Sequence, residues 1–248
     1  MSLTETRLFE AVRNQYLYKL KSRLGIFVAM AGMQVLALLL SMGGVASYGM
    51  GSQYLDVSVR YYSSNIVIWF TLLWIAFIAN KVTARDDQNI DFTFVSNRLS
   101  GNLSNAAFLV TAAFIGGITA ILSGFLLKIM LCFQGSSYLL SQNFIAAPDV
   151  VFTGMAVTVL YLLLFGSLGY FCGVLLRLSK VFNVLMAGLF FGVIGFARSN
   201  PPALAALERV YDFFRGESSL ALLALKVLIT MVLLYVCSFM LSNRLEVR

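Results

Sequence analysis

The feature that most constrains this chain is a series of long apolar runs separated by short polar segments. A helix that crosses a bilayer needs about 20 mainly apolar residues, and lipid offers no partner to an unpaired backbone group, so each run is expected to be helical. The 248 residues are 60% hydrophobic and 12% charged, whereas a soluble domain is about 25% charged. We therefore predict an all-α integral membrane protein with six spans, near residues 24–47, 65–80, 105–133, 151–176, 181–197 and 219–241.

The distribution of lysine and arginine predicts how these spans are oriented. Cytoplasmic loops of membrane proteins carry an excess of basic residues near the span ends. With the N-terminus inside, 12 of the 18 lysine and arginine residues flank inner span ends, and the other 6 flank outer ends. We therefore expect a multi-pass protein with both termini in the cytoplasm. Because the net charge of +7 follows from this bias, it does not indicate a nucleic-acid partner.

Two segments outside the spans have the pattern of amphipathic helices that lie on a membrane surface, so membrane lipid is a predicted partner. Within residues 1–23, apolar residues recur every four positions from Leu8 to Leu20, and basic residues lie mostly on other faces, as in interfacial helices. Residues 199–218 have a proline pair near their start and a glycine near their end, which are helix start and stop signals. We place the first helix on the cytoplasmic face and the second, a short one, on the outer face between spans five and six, within one membrane domain of residues 1–248.

The most polar stretch is RDDQNIDFTFVSNRLSGNLSN, which runs from Arg85 to Asn105. It lies in the longest predicted cytoplasmic segment, residues 81–104, which is too short to fold as a domain. Apolar residues in this segment can share one helix face, and Asn102 or Ser104 can cap the third span. Short charged elements with exposed aromatic residues suit protein–protein contacts. We therefore predict a cytoplasmic helix that binds a partner.

The sequence predicts neither a catalytic site nor a metal site. The chain has no histidine, so Ser167 has no imidazole base and an H-E-x-x-H zinc site is excluded. Asp86 and Asp87 are adjacent and do not face each other on a helix, and no third acidic motif completes a divalent cation site. A P-loop motif, G-x-x-x-x-G-K-[ST], is absent from the sequence. The chain is therefore not predicted to be an enzyme or to hold a cofactor itself.

Small and polar residues within the predicted spans each admit two interpretations. Gly169 and Gly173 have the four-residue spacing that lets helices approach closely, either within this chain or against a second transmembrane subunit. Gln34, Asn80 and Asn183 are uncharged polar residues inside spans. Each of them either lines a substrate path or makes a hydrogen bond between helices, and the sequence leaves both interpretations open.

Together, these features resemble an ABC transporter type-2 membrane permease, the transmembrane subunit of a bacterial exporter. The shared features are six spans, cytoplasmic termini, an amphipathic N-terminal helix, a cytoplasmic helix between spans two and three, and an outer helix before span six. The family's segment after span two has an acidic cluster, a hydrophobic turn and then Ser/Pro-x-Arg. The corresponding residues here are Asp86-Asp87, Phe92-Thr93-Phe94-Val95 and Ser96-Asn97-Arg98, without the proline that is common near this Ser.

The resemblance implies that this segment is a coupling helix, which seats in a groove of a separate ATPase. It also implies a location in the bacterial cell membrane, two ATPase copies that bind ATP and Mg, and a second permease chain, either identical or related. The substrate path would lie between the two permeases. The implied ATPase contacts are Asp86, Asp87, Asp91, Phe92, Phe94, Arg98, Arg13 and Tyr16.

The sequence constrains the substrate and the need for ATP less than it constrains the fold. Apolar spans fit a hydrophobic or amphipathic cargo, such as an antimicrobial peptide, a drug or a lipid-linked molecule, and the resemblance implies export. The alternative is an ATP-independent membrane factor, namely an immunity or scaffold protein or a secondary transporter. Secondary transporters usually carry ionisable residues near the bilayer midplane, and no acidic residue lies well inside any predicted span.

Overall fold

The structure is a computed structural model that describes residues 8–44, 46–52, 55–83, 98–133, 148–178 and 219–244, together with single residues and short runs between 202 and 217. Within these ranges the chain forms six long helices and two strands. In chain order they are α1 (Leu8–Ser22), α2 (Leu24–Met42), β1 (Ala46–Ser52), β2 (Leu55–Tyr61), α3 (Asn65–Val82), α4 (Arg98–Phe133), α5 (Pro148–Leu178) and α6 (Leu220–Arg244).

Five helices in the described part of the chain, α2 to α6, are long and apolar enough to cross a membrane. They coincide with five of the six predicted spans, and the remaining one, 181–197, lies outside the described residues. The chain is therefore a multi-pass membrane protein, as its apolar runs predict. Many large apolar side chains on these helices are exposed, and most of α6 faces outward, as expected for surfaces that contact lipid.

Helix α4 begins earlier than the apolar run that predicts it. It has 36 residues, so at 1.5 Å per residue it is about 54 Å long, whereas the hydrocarbon core of a bilayer is about 30 Å thick. Its polar first turns, Arg98–Ser104, were predicted to belong to a separate cytoplasmic segment. Asn102 and Ser104 are instead interior to α4, and the prediction that one of them caps the third span is wrong.

A β-hairpin joins α2 to α3. Its two antiparallel strands pair in register from Ala46 opposite Tyr61 to Ser52 opposite Leu55, so two residues connect them. The prediction of an all-α protein omitted this element. The hairpin lies at the end of the bundle opposite α1, which we call the hairpin end, and the end where α1 packs is the α1 end.

The turn from α2 into the hairpin depends on a glycine pair. The Gly43 N–H donates to the Leu40 carbonyl at 3.3 Å, and the Gly44 N–H donates to the Ser41 carbonyl at 3.2 Å. Gly44 has a φ of 86°, a left-handed conformation that costs glycine little because it has no Cβ. The helix therefore ends at Met42, before the end of the apolar run 24–47.

Helices α3 and α5 pack closely through two glycines on α5. A Cβ at Gly169 would lie 2.8 Å from the Ala76 Cα, and a Cβ at Gly173 would lie 3.0 Å from the Asn80 Cα. The first distance is shorter than real Cβ contacts and the second is tighter than nearly all of them, so glycine at both positions permits this close approach. The four-residue spacing therefore serves packing within the chain, one of the two interpretations that the sequence left open.

Candidate functional site

Most of the predicted coupling residues fall in the interval between α3 and α4. Asp86, Asp87, Asp91, Phe92 and Phe94 lie outside the described residues. Arg98 is the first residue of α4. The described part of the site is therefore the structure that borders this interval at the α1 end, where helix α1 lies along the first turns of α4.

A buried lysine joins α1 to α4. Lys19 is 2% exposed, and its Nζ donates to Ser104 Oγ at 2.8 Å and to Asn105 Oδ1 at 2.6 Å. A buried ammonium group is costly unless hydrogen-bonded, and bonds from a charged donor are stronger than neutral ones. The side chains of Ser104 and Asn105 are also buried. Lys19 therefore fixes the position of α1 on this part of α4.

Two further contacts extend this interface along both helices. The Tyr16 hydroxyl and Thr111 Oγ1 are 2.8 Å apart and hydrogen-bonded. At the end of α1, the Arg23 guanidinium lies 5.8 Å from the centroid of the Phe108 ring, within the range of a cation–π contact. Tyr16 was predicted to contact an ATPase, and its hydroxyl is engaged inside the chain.

Gln15 is the least satisfied polar side chain of this interface. It is 2% exposed, and neither its Nε2 nor its Oε1 has a hydrogen-bond partner in the described structure. An unpaired buried amide costs about 1–3 kcal/mol. Gln15 and Lys19 are four residues apart and share one helix face. The face of α1 that is buried against the bundle is therefore centred on polar residues, whereas the sequence pattern predicted only an apolar stripe for contact with the membrane surface.

The opposite face of α1 is available to a partner or to the membrane surface. Arg13 and Lys21 are exposed there, and Phe9 is 76% exposed. Leu17 is also exposed. This surface, which we call the outer face of α1, combines basic and apolar side chains next to the start of α4. Of the two α1 residues predicted as partner contacts, Arg13 is on it and Tyr16 is not.

Gln34 forms a polar contact among three helices in the middle of the bundle. Its Nε2 donates to Thr71 Oγ1 on α3 at 3.2 Å and to Thr119 Oγ1 on α4 at 3.0 Å. The Gly116 carbonyl is 3.4 Å away. Gln34 is buried, so this geometry favours an interhelical hydrogen bond over a position on a substrate path.

Asn80 and Asn183 complete the predicted path residues. The Asn80 carbonyl accepts a hydrogen bond from Thr83 Oγ1 at 2.6 Å, and its side chain is half-buried beside Gly173. Asn80 therefore belongs to the close α3–α5 contact. Asn183 lies outside the described residues. The structure does not bring Gln34 and Asn80 together at one site, because one is in the middle of the bundle and the other at the α1 end.

At the hairpin end, polar contacts hold Phe213, Phe214 and Glu217 against α5 and α6. Lys226 on α6 forms an ion pair with Glu217 and donates to the Phe213 carbonyl at 3.0 Å. The Tyr161 hydroxyl on α5 donates to the Phe214 carbonyl at 3.3 Å. Residues 212–214 are helical, and the Gly216 N–H donates to the Asp212 carbonyl at 2.7 Å. These contacts bind the end of segment 199–218 to α5 and α6.

An apolar cleft lies between α4, α5 and α6. Its volume is about 610 Å³, within the range of about 300–1,000 Å³ for small-molecule sites. Every residue that lines it is apolar, from Phe152 and Leu220 near the hairpin end to Leu163 and Met231 deeper in the bundle. The sequence analysis did not predict this cleft, because it depends on which helices are neighbours.

No family model, curated protein or solved structure matches this chain.

The contact of Lys19 with Ser104 and Asn105 is the main feature of the candidate site that the sequence did not predict. One signal was present: Gln15 and Lys19 are four positions apart on a helix whose other faces are apolar or charged. A second was the run of small polar residues before the third apolar span. Neither signal identifies the residues that Lys19 contacts, because Lys19 and Asn105 are 86 positions apart and their contact depends on tertiary packing.

Proposed function

We propose that this chain is the transmembrane subunit of an ATP-driven ABC transporter of the type-2 permease class. It would lie in the bacterial cell membrane with six spans and both termini in the cytoplasm, and it would pair with a second permease chain, identical or related. Two copies of a separate ATPase would bind ATP and Mg and drive transport. The substrate is proposed to be hydrophobic or amphipathic, such as an antimicrobial peptide, a drug or a lipid-linked molecule, and to be exported.

The observation that carries this proposal is the attachment of α1 to the first turns of α4. A partner that pushes on residues 86–97 acts directly on α4, because this interval leads into Arg98. Lys19 and Tyr16 tie α1 to Ser104, Asn105 and Thr111. Force applied to the polar stretch would therefore reach α1 and α4 together, as a coupling element requires.

The charge of the two ends supports the proposed orientation. At the α1 end, the helix termini and α1 itself carry Arg13, Lys21, Lys81, Arg177 and Arg244, with Glu10 as the acidic residue of α1. At the hairpin end, the described acidic residues include Asp149, Glu208, Asp212 and Glu217. An excess of basic residues is typical of cytoplasmic span ends, so the α1 end is proposed to face the cytoplasm.

The alternative, an ATP-independent membrane factor, is favoured by fewer observations. In the five described spans, the acidic residue is Asp149, at the first turn of α5. A secondary transporter typically has ionisable groups near the midplane, and the central polar group seen here is the neutral Gln34. An immunity or scaffold protein requires no such group, and the experiment below separates it from a permease.

The test is affinity purification of the tagged chain from its native membrane, with mass spectrometry of the proteins that remain bound. Phe92→Ala/Phe94→Ala is the test variant. Phe133→Ala is the matched control, because Phe133 is 88% exposed at the hairpin end of α4. Recovery of a P-loop ATPase with the wild type and the control, and its loss with the test variant, supports the proposal. Recovery of the chain without an ATPase contradicts it.

A further inference from the structure

The apolar cleft between α4, α5 and α6 is at least as long as one bilayer leaflet is deep. Along α6 it extends from Leu220 to Met231, which at 1.5 Å per residue is about 16 Å. The hydrocarbon core is about 30 Å thick, so one leaflet is about 15 Å deep. Both α5 and α6 begin at the hairpin end, where the cleft starts near their first turns. On α4 it is lined by Val110, Phe114 and Ile118, so it reaches past the middle of the bundle toward the α1 end.

The lining of the cleft defines what it can hold. The described residues that line it are all apolar, and along each helix they recur at three- or four-residue spacing. A ligand with amide or charged groups inside this cleft would leave those groups without hydrogen bonds, at a cost of several kcal/mol. A hydrocarbon chain has no such groups and would gain about 0.8 kcal/mol for each buried CH₂ relative to water.

The surroundings of the cleft indicate where such a chain comes from. The exposed side chains next to it on α6, Leu225 and Ile229 among them, belong to a helix that is long and apolar enough to cross a membrane. The cleft therefore borders the bilayer, which supplies acyl chains. Its entrance at Leu220 lies close in sequence to the polar contact of Lys226 with Glu217, where the lipid head group would meet polar atoms.

We infer that this cleft binds one acyl chain of a phospholipid from the leaflet at the hairpin end, as a site distinct from the general lipid contact of the outer helix faces. The bound chain packs between three helices and fills space that no side chain of the described residues occupies. The inference depends on the multi-pass structure and not on coupling to an ATPase.

The test uses the purified full chain in phosphatidylcholine vesicles that contain a phosphatidylcholine with a diazirine on one acyl chain. After photolysis, the adducts are mapped by mass spectrometry of peptides. We expect at least several-fold more label on the cleft residues Met155 and Met231 than on the exposed residues Leu225 and Val232. Label spread evenly over exposed and cleft residues would overturn the inference, because it would show general lipid contact alone.

Two alanines on α6 provide a matched pair of variants. Ala224 lines the cleft, whereas Ala221 is exposed and lies outside it. Ala224→Phe fills the cleft and is expected to lower the label on Met155 and Met231 several-fold, whereas Ala221→Phe leaves it unchanged. Ala156→Phe, from the α5 side of the cleft, gives the same result by an independent substitution. Unchanged label in both filling variants would contradict the inference.

The position of the diazirine identifies the leaflet. With the group near the head of the acyl chain, label is expected near Phe152 and Leu220. With the group at the chain terminus, label is expected near Leu163 and Met231. The reverse order would show that the chain comes from the opposite leaflet and would overturn that part of the inference, even if the cleft were occupied.

Discussion

The Nζ atom of Lys19 lies 2.6 Å from the Oδ1 atom of Asn105, although 86 positions separate them in the sequence. This bond is made between an amphipathic helix that precedes the spans and the start of the third span in the chain. It places a buried positive charge against neutral acceptors, Asn105 and Ser104. This contact adds to the packing of Tyr16 and Leu20 against the core, and together they orient α1 on the bundle.

Removal of either partner is expected to destabilise the protein. Lys19→Ala removes the donor to Ser104 and Asn105, and Asn105→Ala removes one acceptor of the buried ammonium group. Each substitution is expected to cost about 1–3 kcal/mol in the free energy of unfolding. The double variant is expected to cost less than the sum, with a coupling energy of about 0.5–3 kcal/mol. Denaturant titration in mixed micelles measures the free energy of unfolding of the two single variants and of the double variant. Lys21→Ala, on the exposed face of α1, is the control and is expected to change stability by less than about 0.5 kcal/mol.

Replacement of Gln15 by an apolar residue is expected to raise the free energy of unfolding. Its buried amide has no hydrogen-bond partner among the residues that the structure describes, so Gln15→Leu removes an unpaired polar group and keeps a similar volume. We expect a gain of about 1–3 kcal/mol, seen as a higher midpoint of thermal unfolding. Asn14→Leu, at an exposed neighbouring position, is the control. A loss of stability in Gln15→Leu would show that the amide has a partner, such as an ordered water.

The close contact of α3 and α5 predicts a strong difference between two glycines of one helix. A Cβ at Gly169 would meet the backbone of Ala76, whereas a Cβ at Gly154 would meet nothing within 4 Å. Gly169→Ala is expected to lose about 1–3 kcal/mol through overpacking. Gly154→Ala is expected to be neutral or to gain up to about 1 kcal/mol from helix propensity. Equal effects of the two substitutions on thermal unfolding would contradict the packing described here.

The outer face of α1 provides a test of the proposed ATPase contact that does not use the interval 84–97. Arg13 is exposed on this face, and charge reversal at an interface weakens association. Arg13→Glu is expected to lower the amount of co-purified ATPase several-fold. Arg209→Glu reverses an exposed charge at the hairpin end and is expected to have no effect. If neither substitution changed the yield of ATPase, Arg13 would not be a contact.

The positions of the spans were predictable because length and apolar content are local properties. The five described spans agree with the apolar runs to within a few residues, except where tertiary contacts extend a helix. The start of α4 at Arg98 is such a case, because α1 supplies hydrogen bonds to Ser104 and Asn105, and the Tyr170 hydroxyl of α5 donates to Asn102. Hydropathy cannot show this support, since both partners are polar.

The hairpin had a sequence signal that the prediction of an all-α protein passed over. In residues 55–61, Leu, Val, Val and Tyr alternate with Asp, Ser and Arg, and a period of two is typical of a strand. Its partner strand is rich in glycine and serine and has no clear period. The alternation predicts one strand, whereas the pairing register depends on a two-residue connection.

The candidate site was predictable in composition but not in contacts. The sequence indicates that Gln34 is a polar residue inside a span, yet its three partners come from α3 and α4 and follow from helix packing. Tyr16 was assigned to a partner, and its hydroxyl bonds to Thr111. In both cases the residue type indicates a hydrogen bond, and only the fold identifies the other atom.

The length of α4 has a mechanical consequence. A rigid rod about 54 Å long acts as a lever, and if it pivots near its centre, a tilt of about 10° displaces each end by about 5 Å in opposite directions. Because Lys19 and Tyr16 attach α1 near one tip, α1 travels with it. The far tip, at Phe133, would sweep an equal arc on the other side of the membrane, so a small rotation at one surface would be transmitted to the other without any change in helix length.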